Sequence, residues 1–429
     1  METKEEQKMR KRNMKLFPSY KALAWDFLFY YAIDFLFLTQ IKGMSSADVV
    51  LLTSIQALFG IFLQIPSNII VDLLGRRKSI ILGNVLNCIY LIIFIFGQSL
   101  VIFGFAKLIS ALAKTIKNIA EPTLLNESIP PSTNKGNIYG KIVGKGATGH
   151  FILNAISKIV AGYTFTINGY MPLILSLIVC VIVTIMSVCY IEPVGKREKT
   201  KGSLIIKQYK NDVIEGVRFI FKSRRLRALM LSSALIGSLL TILVNYQTSL
   251  LKDINLSATV IGIVAAIMSV VNAYASKKQT DFHNRFHNKT IIIIAFMASI
   301  STIIAGILGM SANQFGLAIV IIILMFIIEN FSHGIYYTIR DRYFRNFTNE
   351  KIDTKIFAVR NLTLCITSGL FGMLASFLLT KMNTALSMIV VGSIFTMLFV
   401  LMGIYMKPRI GLKPEEYSEE ERKYDELVM

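Results

Sequence analysis

Charge is what this sequence lacks. Only 17% of its 429 residues are Asp, Glu, Lys or Arg, against 54% hydrophobic, whereas about a quarter of a soluble domain is charged. That shortage excludes an ordinary water-soluble globular protein. Acids are scarcer still, 26 against 46 Lys and Arg. The resulting net charge of +20 would suggest a nucleic-acid binder in a soluble protein. No nucleic-acid motif accompanies it, so no nucleic-acid partner is expected. Cysteine is rare, and Cys88, Cys180, Cys189 and Cys365 fall in apolar segments without metal-ligand or paired spacing. No metal and no cofactor is expected. A phosphate-cradling Walker loop is missing, which leaves ATP-driven transport unsupported. No nucleophile–base constellation is present either, so an enzyme is not expected. The opening METKEEQKMRKRNMK is a long polar lead with no small-residue cleavage site, and no cleavable signal peptide is expected.

What is there is oil in blocks. The apolar residues group into runs of about 20, the length a helix needs to cross a bilayer core. The chain therefore reads as an all-α integral membrane protein. Its runs fall near 20–41, 48–71, 79–97, 99–121, 142–165 and 170–190, then near 226–251, 257–276, 290–310, 314–337, 356–380 and 384–406. They predict twelve transmembrane helices in two six-helix bundles, 20–190 and 226–406, with a tail at 1–19, a linker at 191–225 and a tail at 407–429. Cations concentrate in alternate loops, and only Lys42, Lys252 and Lys381 fall in loops on the opposite side. By the positive-inside rule both termini are cytoplasmic, in a multi-pass protein of the cell membrane. In the linker, Ile206, Tyr209, Val213, Val217 and Ile220 recur at helical spacing, opposite Lys207, Asp212, Arg218 and Lys222. Such a helix suits the anionic inner leaflet of the bilayer; a plain solvated linker helix is the alternative.

The halves echo each other. KGMSSADVVLL before the second run matches INLSATVIGIV before the eighth at an offset of 212, and Lys78 matches Lys289 at 211. Parallel six-span repeats recur in secondary transporters, with the solute path between the halves.

One stretch interrupts the oil with charge. VDLLGRRKSI, residues 71–80, is a short turn between the second and third spans. Asp72, Gly75, Arg76 and Arg77 resemble the G-x-x-x-D-R/K-x-G-R-R/K signature of the major facilitator superfamily at this loop. Asn68 and Leu73 depart from it. Together with the twelve spans, the basic linker and the repeat, the resemblance covers nearly the whole chain. It implies two pseudo-symmetric bundles working by alternating access and a gating role for Asp72, Gly75, Arg76 and Arg77. Asp72 is then expected at the N-terminal end of the eleventh span, where a helix favours an anion. Topology alone explains the cations but not Asp72 and Gly75.

Charges inside spans are costly and call for a partner or a purpose. Asp34, Gln56, Lys107 and Lys158 sit seven or eight residues from the outer ends of their spans, roughly 10–12 Å deep at the helical rise. They are expected to form one polar layer that binds substrate or couples ions, or else an Asp–Lys pair that only locks helices. Lys114, Lys117 and His150 make a second group nearer the cytoplasm, with Lys117 read as reaching for the inner surface. Asp34 maps through the repeat to Asn245. In the tenth span Glu329 and His333 share a face at i, i+4 spacing, near Tyr336. Glu329 is the candidate for proton coupling, or it is neutralised by Arg360.

The chain is thus expected to be a monomeric secondary transporter of a small molecule, driven by an ion gradient, protons in the first instance. Proton-coupled export of a small amphipathic compound is the first expectation. It rests on the resemblance, including the linker stretch VIEGVRFIFKSRRLR, which looks like that of bacterial exporters in the family. The span-five sequence GKGATGHFILNAISKIVAG has glycines but lacks the proline of drug antiporters, which weakens that reading. Import of an anionic solute is the alternative, favoured by the surplus of Lys107 and Lys158; a receptor or scaffold that carries nothing is the third.

Overall fold

In hydrocarbon every backbone N–H and C=O needs a partner within the chain, and a helix provides it locally. The computed structural model of the protein is accordingly helical throughout. It describes all residues except 1–3, 32, 131–134, 193–201, 287–288, 312–315, 347–349 and 407–429. The expected C-terminal tail and much of the linker's first part lie outside the described residues, as does the side chain of Ile206. In chain order the helices are α1 (Lys4–Ala24), the single turn α2 (Asp34–Leu36) with a π-helical turn Phe37–Ile41, α3 (Ser46–Leu74), α4 (Arg76–Phe96), α5 (Leu100–Ser128), α6 (Lys135–Ile167) and α7 (Met171–Val188). Then follow α8 (Gly202–Lys222), α9 (Arg224–Asp253), α10 (Ala258–Phe286), α11 (Thr290–Gly309), α12 (Gly316–Asn346), α13 (Glu350–Lys381) and α14 (Thr384–Met406).

Among the described residues, nine helices are long and apolar enough to cross a membrane: α3, α4, α7 and α9 to α14. The other three expected spans are α1, α5 and α6. They are more polar, and α1 and α5 supply four of the five charged side chains that line the candidate site, Lys21, Lys114, Lys117 and Glu121.

The chain folds into two compact units that do not follow its midpoint. The first comprises residues 1–44, 59–207 and 257–266; the second comprises 45–58, 208–256 and 267–429. In the first, α4 packs on α5 and α7, and α1 packs on α6. In the second, α11 packs on α12 and α14, and α9 packs on α13 and α14.

The repeat read from sequence is also written in the backbone. Gly43 has φ +68° and Asn255 has φ +61°, left-handed turns at the 212-residue offset. Gly and Asn are the residue types that tolerate that conformation. Each turn precedes a helix start: Ser45 and Asp48 exchange a capping box, with Asp48 N–H donating to Ser45 Oγ at 3.1 Å and Ser45 N–H to Asp48 Oδ2 at 3.0 Å. Ser257 Oγ accepts Val260 N–H at 3.4 Å at the matching place.

Close backbone approach repeats as well. In the first unit, a Cβ on Gly162 of α6 would meet Ala258 O at 2.6 Å and Gly262 Cα at 3.0 Å. In the second, a Cβ on Gly334 of α12 would collide with Asn272 O of α10. Small residues at such crossings let membrane helices touch.

Two expectations need correction. The run 20–41 is not one span: α1 ends at Ala24, residues 25–31 and 33 are irregular, and Phe29 takes φ +64°. The segment 1–19, expected as a tail, is helical from Lys4 and continuous with the first span. Its Met9, Asn13 and Phe17 are buried, and Asn13 Nδ2 donates to Ser128 Oγ at 3.0 Å and Ile191 O at 2.9 Å.

A charged cavity at the break in the first helix

Where α1 stops, an open cleft begins within the first unit, with about 650 Å³ of empty space when its solvent-filled mouth is counted. The unwound segment supplies Trp25, Asp26, Phe27 and Leu28, and α1 supplies Lys21. Helix α5 adds Ser110, Lys114, Lys117 and Glu121, while α4 and α7 contribute Asn84, Asn87 and Ser176. Irregular backbone at membrane depth is tolerated where it borders a cavity, and broken helices mark solute sites in transporters.

At the centre of this wall is Glu121, only 1% exposed. Lys21 Nζ donates to its Oε2 at 2.5 Å, Tyr20 Oη donates to its Oε1 at 2.8 Å, and Lys117 Nζ lies 3.7 Å from Oε1. Tyr20 also receives Asn84 Nδ2 at 3.1 Å. Contrary to expectation, Lys117 does not reach for the inner surface. It is 7% exposed, with a second bond to Ala24 O at 3.2 Å, at the carbonyl end of α1. A buried carboxylate holds it there.

The polar layer is partly assembled. Asp34 opens α2, its Oδ1 accepting Phe35 N–H at 2.9 Å, and lies within electrostatic reach of Lys107 and Lys158. No ion pair within 4.0 Å joins Asp34 to Lys107 among the described residues, so the expected locking pair is not formed. Lys107 is instead caged by aromatics. It donates to Tyr30 Oη at 3.2 Å and sits 5.7 Å from the Tyr30 and Phe94 ring centres and 5.9 Å from that of Tyr90. Tyr30 and Tyr90 hydroxyls share a short hydrogen bond. Lys158 is half-buried on α6. Gln56 falls in the second unit, half-buried, with no side-chain hydrogen bond among the described residues. His150 Nδ1 bonds Ala22 O at 3.1 Å and its ring stacks on Trp25.

In the second unit Glu329 is 1% exposed and takes neutral partners. Gln247 Nε2 donates to Oε2 at 2.6 Å, and Thr302 Oγ1 is 2.9 Å from Oε1. Arg360 is not its counter-ion; it pairs with Asp341 at 2.6 Å. His333 shares the helical face of Glu329 but turns to Asn272, while Tyr336 Oη donates to Ser233 O at 2.8 Å. Asn245 Nδ2 donates to Thr53 Oγ1 at 3.1 Å beside a smaller pocket.

The turn expected to act as a gate is tied down by an acid the sequence reading passed over. Gly75 has φ +85°, and the Glu192 carboxylate occupies the place its Cβ would need. Glu192 accepts Arg76 N–H and Arg77 N–H at 2.7 Å each and so caps α4 from outside. Arg76 Nη2 reaches Glu127 at 3.1 Å and Nη1 reaches Asp72 at 3.7 Å, while Arg77 Nη2 donates to Val188 O at 2.9 Å. The cysteines too are closer than their spacing suggests: Cys88 and Cys180 sulfurs are 3.1 Å apart as free thiols.

Helices that span, a backbone repeat and a charged cavity beside a broken helix define a polytopic membrane protein of the transporter type. The sequence profile of the Major Facilitator Superfamily matches residues 22–346, and the chain belongs to that family. No curated protein matches it by sequence. Solved structures share its fold at low identity. A point mutant of the nucleoside transporter NupG is 14% identical at TM-score 0.69, over 92% of this chain and 99% of that one. A POT family transporter in complex with 5-aminolevulinic acid is 13% identical at TM-score 0.68, over 94% and 95% of the two chains. A D-xylose-proton symporter is 13% identical at TM-score 0.63, over 96% and 98%.

Proposed function

We propose that this protein is a secondary transporter that works by alternating access, binds a small polar solute in the cavity at the α1 break, and couples to protons through Glu329. The observation that carries the reading is the cavity itself: ionisable side chains at membrane depth face a common open space, where a mere structural protein has no use for them. The D-xylose-proton symporter among its fold relatives supports proton coupling as a working scheme.

Hydrogen-bond bookkeeping supports Glu329 as the carrier. The Thr302 hydroxyl has one proton but two acceptors in reach, Ala298 O at 2.8 Å and Glu329 Oε1 at 2.9 Å. A proton on Oε1 completes the set, since Glu329 then donates to Thr302 and Thr302 donates to Ala298. No cation lies within 4.0 Å of this carboxyl among the described residues.

Export of an amphipathic compound by antiport is the second reading. The apolar part of the same cavity, including Leu23, Phe27 and Val179, favours it, as does the linker's likeness to bacterial exporters. Flux in proteoliposomes under an imposed proton gradient separates the two. Accumulation driven by an inward gradient supports symport, and expulsion under that gradient supports antiport. Flux unchanged when Asp34→Asn, Lys107→Ala and Glu329→Gln are combined rejects the coupling assignment.

A further inference from the structure

The charges that line the cavity do not all find partners, and we propose that the two left over bind the ends of a zwitterion. The solute is a small molecule that carries both an amino and a carboxylate group. This rests on the reading of the cavity as the solute site and names the class of solute.

Three lysines and two acids line the cavity: Lys21, Lys114, Lys117, Asp26 and Glu121. Glu121 is already occupied by Lys21 at 2.5 Å and Lys117 at 3.7 Å. The second positive charge of that trio is offset by Ala24 O, 3.2 Å from Lys117 Nζ, where the last carbonyls of α1 carry the negative end of the helix dipole. This trio is internally balanced.

Among the lining charges Asp26 and Lys114 are what remains; Lys158, which does not line the cavity, lies within electrostatic reach of Asp26. Among the described residues no cation lies within 4.0 Å of Asp26 and no carboxylate within 4.0 Å of Lys114. Asp26 has the Tyr31 hydroxyl beside it, and Lys114 is an exposed side chain on the cavity wall. A solute with one charge leaves the other residue without a counter-charge and gains one charge-assisted contact instead of two. An amino carboxylate matches both, its ammonium at Asp26 and its carboxylate at Lys114. Charge-assisted hydrogen bonds at both ends fix its orientation.

The protein carries its own reporter. Trp25 is the only tryptophan of the chain, adjoins Asp26 and lines the cavity. Its emission in purified full-length protein is to be followed while δ-aminovalerate, norvaline, pentylamine, valerate and pentanol are titrated. The expected result is a saturable change with at least one of the two amino carboxylates. The singly charged and neutral compounds should bind at least about tenfold more weakly, a difference of ~1.4 kcal/mol. Lys114→Gln should weaken the amino carboxylate about tenfold and leave pentylamine unchanged, and Asp26→Asn should do so while leaving valerate unchanged. Valerate, pentylamine or pentanol binding as tightly as the amino carboxylates overturns the proposal. So does the absence of any saturable change with both amino carboxylates at millimolar concentration. Failure of the transport reading looks different: zwitterions bind, but no counterflow appears in proteoliposomes. Flux of a neutral solute without response to zwitterions has the reverse meaning.

Discussion

The two units handle buried charge in opposite ways. In the first, Lys21, Lys117 and Glu121 are packed into direct contact, and Lys107 is held by three aromatic rings. In the second, Glu329 sits among an amide and a hydroxyl with no cation within 4.0 Å among the described residues, and the arginines Arg340 and Arg360 share Asp341 elsewhere. A paired charge is fixed, because either partner alone is expensive in a medium of low dielectric. A carboxyl held only by neutral groups can gain or lose its proton without stranding a counter-ion. The first arrangement suits a rigid wall with a few groups left for a solute; the second suits a proton carrier.

The largest test of that contrast is Glu121→Ala. It leaves Lys21 and Lys117 facing each other without a carboxylate, and removing one partner of a buried pair costs about 3–5 kcal/mol. Thermal melting of purified protein should show a drop of several degrees or loss of the folded species. Melting like the unaltered protein would mean that the first unit does not depend on its charge contacts, and the comparison would collapse.

A smaller effect is expected at the turn before α4. Glu192→Ala removes the acceptor of two orphan N–H groups at a helix start, about 1–2 kcal/mol for a lost cap. Because Arg76 and Arg77 keep Glu127 and Val188 O, the protein should still fold and melt slightly earlier. Gly75→Ala should cost at least as much, since φ is +85° and the added carbon collides with the Glu192 carboxylate. If the double variant is no worse than Gly75→Ala alone, the collision with Glu192 is confirmed as part of the cost.

Much of the fold was legible because the bilayer demands long apolar helices and the chain supplies them. The repeat was legible from KGMSSADVVLL and INLSATVIGIV and reappears as the turns at Gly43 and Asn255. The break in the first span was not. WDFLFYYAI contains neither Gly nor Pro, and its left-handed residue is Phe29, a type that does not announce that conformation. Glu121 was overlooked for a related reason. The apolar run ends at 121, so the acid reads as a helix end, yet α5 continues to Ser128 and places it about 10 Å inside. Glu192 lies outside every span, and nothing local reveals that it caps a helix far away in sequence. Glu329 stood out as a lone acid in oil, but its partners Gln247 and Thr302 are ordinary polar residues on other helices.

The smallest expected effect on stability is also the most informative about function. Glu329→Gln preserves shape and supplies an amide whose NH2 can donate to Thr302 Oγ1, leaving Thr302 free to donate to Ala298 O. The amide oxygen still accepts Gln247 Nε2. Every bond of the site is kept, so melting should move by less than about 1 kcal/mol, within the range of a single neutral hydrogen bond. The same isosteric change in the first unit, Glu121→Gln, leaves two lysines without a negative charge and should be clearly more destabilising. In proteoliposomes Glu329→Gln should retain solute exchange at equal pH and lose proton-driven accumulation, because the amide cannot release a proton. Equal destabilisation by the two substitutions would show that Glu329 is held as an anion after all. Intact accumulation in Glu329→Gln would move the proton to another group, with Asp34 the next carboxyl to test.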